Sequence, residues 1–172
     1  MPRVMWVVLG AMLGASGCAR RNPDVMLADC RPAEGILRAG TDPAVLVGSY
    51  HLILIARGGP AAGEAVSGTM GLSAYEDGIR GSAAIALERV GAHRHGDLGS
   101  TDPLAPGVLA LPQSDRILLR FGSEANRKDV RAFEGPYMVL HVRQLTETGF
   151  AGTWASGAAR PDAEGHFCAV RG

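Results

Sequence analysis

Residues 66–75 read VSGTMGLSAY, and their alternation decides the fold class. Val66, Met70, Leu72 and Ala74 fall on one face of an extended chain, and Ser67, Thr69 and Ser73 on the other. A period of two with one apolar and one polar side is the pattern of a half-buried strand. Asp77-Gly78 follows at once, a pair suited to the left-handed geometry of a two-residue hairpin turn. A hairpin turn needs a returning partner, so Ile79 to Val90 is expected to run back as a strand. The competing reading of residues 82–91, SAAIALERVG, is a helix capped by Ser82 and Gly91.

The same texture extends outward in both directions. Upstream, Tyr50 to Arg57 reads YHLILIAR and ends in a Gly- and Pro-rich loop at 58–63. Downstream come a long loop at 91–106 and then Val108 to Leu111, Ile117 to Phe121, Tyr137 to Leu145, Phe150 to Ser156 and His166 to Arg171. Most connections have hairpin length, with Gly 24 and Pro 10 supplying the turns. About eight strands in simple succession remove their exposed edges by closing. The expected fold is all-β, a small antiparallel up-and-down β-barrel, with a β-sandwich as the alternative. The domain plan is a signal peptide over 1–17, a tether and lead-in over 18–47, and the barrel over 48–172.

Formal net charge is zero, from 17 basic and 17 acidic residues. The densest basic cluster, Arg127, Lys128 and Arg131, is broken by Asp129 and reads as a solvated loop, so no nucleic-acid partner is expected. The amino terminus, MPRVMWVVLGAMLGASGC, has a positive start at Arg3, a short apolar run from Val4 to Leu13 and small residues from Gly14 to Gly17. That is the layout of an export signal, with an apolar run shorter than the roughly 20 residues of a spanning helix. Ala15-Ser16-Gly17-Cys18 resembles the bacterial lipobox. The resemblance implies diacylglyceryl transfer to Cys18, cleavage before it, and a mature chain held to membrane lipid by several acyl chains. Ala19 and Arg20 follow rather than aspartate, which favours the outer over the inner membrane.

With Cys18 assigned to lipid, Cys30 and Cys168 remain. In an oxidising compartment two leftover cysteines usually pair, and a disulfide is expected; two unpaired buried thiols are the competing reading. The chain contains no C-x-x-C, so a zinc site has little support.

Gly48-Ser49-Tyr50 at the head of the first strand, and Gly152-Thr153-Trp154 later, resemble the Gly-x-Trp elements of calycin barrels, the lipocalin and avidin type. The resemblance implies a small closed barrel, which either is filled with side chains or holds one small ligand, and the sequence does not choose between the two. Phe150 and Trp154 share one strand face and are the candidate lining of such a pocket, with core packing the commoner use of such aromatics. His93-x-His95, with Asp97 and Asp102, is the best metal arrangement in the chain, weighed against a solvated loop. Glu88, Asp97 and Glu147 carry no spacing that makes a catalytic pair. No H-e-x-x-H, G-x-S-x-G, phosphate-binding or dinucleotide motif is present, and no cofactor is expected. The expected role is non-enzymatic: carriage of a small apolar ligand in the envelope, or else docking on a membrane-protein partner.

Overall fold

A computed structural model describes residues 29–75, 78–92, 108–112, 117–121, 137–157 and 160–172. Its strands are β1 (Gly48–Gly58), β2 (Ala65–Tyr75), β3 (Gly78–Ala84), β4 (Val108–Pro112), β5 (Ile117–Phe121), β6 (Tyr137–Thr146), β7 (Gly149–Gly157) and β8 (Pro161–Arg171). Each pairs antiparallel with the next, and β8 returns to β1, closing an eight-stranded up-and-down barrel. The barrel, rather than the sandwich, is the architecture of this chain.

Alternation along each strand sorts side chains between interior and outer wall. On β1, Tyr50, Leu52, Leu54 and Ala56 are buried inward, while His51 and Arg57 face out. On β2, Val66, Met70 and Leu72 are inward and Ser67, Thr69 and Ser73 exposed, as the period of two requires. Ala74 departs from that set: it is exposed, since the strand has run to the end of the barrel. The inner residues form one continuous apolar core in which Trp154, Phe150 and Phe167 are the largest buried side chains.

The return strand after Asp77-Gly78 is shorter than expected. β3 stops at Ala84, and Leu87–Val90 forms a 3-10 turn closed by the Gly91 amide on the Glu88 carbonyl. Two physical causes act together. Among the described residues β4 pairs with β3 at Arg80 and Gly81, so the last residues of β3 are held on one side alone, by β2 as far as Thr69 opposite Ala84. A 3-10 turn also sets residues three apart on one face, and Leu87 and Val90 are both buried there. The competing helix over 82–91 is likewise absent.

A second 3-10 turn, Pro43–Leu46, caps the other end. Asp42 caps it by accepting from the Ala44 amide at 2.8 Å, and Leu46 is wholly buried. The Tyr50 hydroxyl donates to the Leu46 carbonyl at 2.9 Å, fastening this cap to β1. Burial raises the Tyr50 pKa, against the opposing influence of Arg171, whose guanidinium stacks over the ring at 5.5 Å.

Candidate functional site

The described part of the lead-in is a packed strap. Leu37 and Leu46 belong to the barrel core, and Cys30 is bonded to Cys168 with a Cα–Cα separation of 5.7 Å. Cys168 lies on the outward face of β8, opposite Ile53 of β1 and Ala151 of β7. The expected disulfide is therefore present, and it draws the strap onto the outer wall. Ile53 faces outward yet is only 1% exposed, because Cys30 lies over it, with Ile55 and Val170 packed alongside.

Next along the outward face of β8 is His166, 4% exposed. Arg57 donates from Nε to its Nδ1 at 3.1 Å, which puts the proton of the neutral ring on Nε2. Burial lowers the pKa of this imidazole, and the Arg57 charge lowers it further, against a hydrogen bond to the Cys30 backbone. Arg57, His166 and the Cys30 backbone thus form a second fastening beside the disulfide.

The strap does not seal against the wall along its whole length. A half-open groove of about 710 Å³ separates it from β6, β7 and β8. Asp29, Arg31 and Glu34 of the strap form one side, Gln144, Thr146 and Thr148 the other, and Ala151 and Val170 line it between them. Gly35 of the strap lies over the Gln144 side chain, where an added Cβ would sit 3.6 Å from Cγ. Beside the groove β6 bulges, since Val142 pairs with Gly152 but Gln144 with Ala151, leaving Arg143 as the extra residue. Its Nε is buried without a hydrogen-bond partner among the described residues.

Phe150 and Trp154 do share the inward face, each 1% exposed, and their surfaces are occupied. Phe150 meets Tyr50 edge-on at 4.9 Å and Phe167 at 6.0 Å. The Trp154 indole donates to the Ile55 carbonyl at 3.3 Å. That bond exists because residue 165 is glycine: a Cβ there would collide with the Ile55 carbonyl and lie 2.7 Å from the indole nitrogen. At Gly152 an added Cβ would come within 2.8 Å of the Phe167 ring. The barrel interior around these aromatics is filled by side chains, the packed alternative for a small eight-stranded barrel.

Glu88 and Glu147 are exposed and sit at opposite ends of the barrel, so they form no acid–base pair. Among the described residues no three His, Cys, Asp or Glu side chains gather as a metal site. Cys18, the His93, His95, Asp97 and Asp102 set, and the Arg127, Lys128 and Arg131 cluster lie outside the described residues. The groove escaped sequence reasoning because it arises from a contact between the lead-in and strands more than a hundred residues later. The two cysteines were its one sequence signal.

Fold and site together define a closed β-barrel, packed with side chains among the described residues, with a disulfide-fastened external strap. Compared with protein-family models, curated proteins and solved structures, the chain finds no match.

Proposed function

We propose that this protein is an exported envelope lipoprotein, acylated at Cys18, whose barrel is a non-enzymatic binding module for a small ligand. The strap groove, not the barrel interior, is the site this reading favours. The single observation that carries it is the shape of that groove. Its volume of about 710 Å³ lies in the range of small-molecule pockets, and it combines an apolar base with a few polar groups at its rim. A ligand with a short apolar portion over Ala151 and Val170 and a polar end toward Thr146, Thr148 or Arg31 fits that lining. The filled interior speaks against carriage inside the barrel.

An anchor suits this barrel, because its faces are arranged as in a soluble protein. Spanning barrels carry an apolar outer band and a polar lumen. Here the core is apolar and Ser67, Thr69, Ser73 and Arg57 point outward. Among the described residues no helix is long and apolar enough to cross a membrane. Membrane attachment then rests on Cys18.

Native mass spectrometry of the protein extracted from envelopes tests the binding reading, with Ala151→Trp as the groove-filling variant. A bound mass on the wild type that disappears from Ala151→Trp, with the melting curve kept, is the expected result. A bound mass retained by that variant would place the ligand elsewhere. Metabolic labelling with a fatty-acid analogue tests the anchor: Cys18→Ala should abolish the label, and an unlabelled wild type rules lipidation out.

A further inference from the structure

Three large apolar side chains are strongly exposed among the described residues: Ile36 at 73%, Val45 at 43% and Leu145 at 43%. They come from the strap, the 3-10 cap and the end of β6, and the fold gathers them at one end of the barrel. Gly35 lies over the Gln144 side chain, which brings the strap to the end of β6, and Leu145 follows there on the face it shares with Phe150. The Val45 carbonyl accepts from Arg171 Nη2 at 3.4 Å, and the Arg171 amide donates to the Thr148 carbonyl at 2.7 Å. Val45 is thereby tied through Arg171 to the β6–β7 turn, at the same end of the barrel as Leu145. At the opposite end the described exposed residues include Pro60, Ala62, Glu64, Glu88, Arg89, Arg160 and Pro161, with no large exposed hydrophobic among them.

We propose that this apolar end rests on the lipid surface, with Ile36, Val45 and Leu145 entering the headgroup region. The proposal rests on the lipid-anchor reading of Cys18. From Cys18 to Asp29, where the described strap begins, is eleven residues, which extended span at most about 36–40 Å. An acylated chain therefore keeps the barrel near the bilayer, and a shallow apolar contact too weak to recruit a free protein becomes effectively intramolecular. A protein interface is the poorer fit, since stable ones take about 20–30 residues a side and this patch offers three large apolar groups. Exposed Arg31, Arg38 and Arg171 are balanced by Glu34, Asp42 and Glu147, so the contact rests on its apolar groups and depends little on salt.

The test uses the full acylated chain reconstituted in phosphatidylethanolamine–phosphatidylglycerol vesicles containing a brominated-acyl phospholipid. Ile36→Trp is compared with Thr69→Trp on the polar outer wall, both positions being exposed enough to accept the ring. The expected result is loss of the emission that Ile36→Trp adds over wild type, in low and high salt alike, with the Thr69→Trp emission kept. Equal quenching at the two positions, on protein that carries the fatty-acid label, overturns the orientation and leaves the anchor standing. A wild type without the label removes the anchor and this proposal with it. A photo-crosslinker at Leu145 that captures one protein reproducibly in intact envelopes, in place of lipid, also overturns it.

Discussion

The barrel wall has a strong side and a thin side. β1, β2, β6, β7 and β8 are nine to eleven residues long, and β1 and β8 stay paired from Tyr50 opposite Arg171 to Gly58 opposite Glu164. β4 and β5 have five residues each, and β3 meets β4 only where Arg80 faces Leu109 and Gly81 faces Val108. Among the described residues the largest buried aromatics follow the same division, since Phe150, Trp154 and Phe167 sit on β7 and β8. The disulfide joins the strap to β8, on the strong side, and spans no part of the β3–β4 seam. A cross-link placed where the wall is already thickest does little for barrel closure. Its position makes sense as a device that holds the strap, and with it the groove, in place.

The division is tested most severely by Phe167→Ala. The ring is wholly buried and packs on Phe150 and across Gly152, so truncation opens a void that backbone cannot fill. A loss of about 3–5 kcal/mol is expected in denaturant unfolding. Leu119→Ala, equally buried but on β5, should cost less, because a thin wall relaxes more readily into the space. Equal losses at both sites would erase the contrast between the two sides.

Cys30→Ser comes next. With a sequence separation of 138 the loop-entropy treatment gives on the order of 4–5 kcal/mol. The expected loss is nearer 2–4 kcal/mol, as for most native disulfides, since the denatured chain keeps some structure. The sharper readout is local. Limited trypsin digestion should cut the variant after Arg38 while the barrel stays intact, and protection of that site would show that the strap is held by packing alone.

Hydrogen exchange measures the same contrast without mutation. Amides of β3 and β4 at the two-pair seam should exchange through local opening, below the global unfolding free energy, while β7 and β8 amides exchange only with global unfolding. A single protection level around the barrel would mean that the seam is as strong as the rest.

The sequence showed the strong side more clearly than the thin one. The alternation of Val66 to Leu72 is regular because the inner residues Val66, Met70 and Leu72 are buried while Ser67 and Thr69 are exposed, and on β7 Phe150 and Trp154 are buried on one face. Ile79 to Val90 was ambiguous for a physical reason: buried Ile85 and Leu87 are two apart, as on a strand, while Leu87 and Val90 are three apart, as on a helical turn. The pairing of Cys30 with Cys168 was legible from cysteine count and compartment, but its consequence was not. No local pattern says that residues 29–37 lie across the outer wall, or that outward-facing Ile53 and His166 are covered. The ligand reading of Phe150 and Trp154 had the correct face, while the filling of that face depends on the missing side chains of Gly152 and Gly165, against Phe167 and the Trp154 indole.

The smallest effect, and the one closest to the strap, is the pH dependence set by His166. The imidazole sits under the strap at 4% exposure, and Arg57 already occupies Nδ1 as a donor. A second proton would have to go on that same nitrogen, facing a guanidinium, in a site with little water. Its folded-state pKa is accordingly below the unfolded value of 6.5. Between those two values the unfolded chain binds more protons than the folded one, so stability rises with pH across that window. The contribution is complete above about pH 6.5 and is lost as the pH falls through the folded-state value. His166→Gln keeps an acceptor for Arg57 and cannot titrate. Melting temperatures of the variant, followed from pH 8 to pH 5, should fall less steeply below pH 6.5 than those of the wild type. Parallel curves would mean that the ring can leave its place under the strap and take up its proton in solvent. That outcome would also weaken the case that the strap and the wall behind it form one rigid unit.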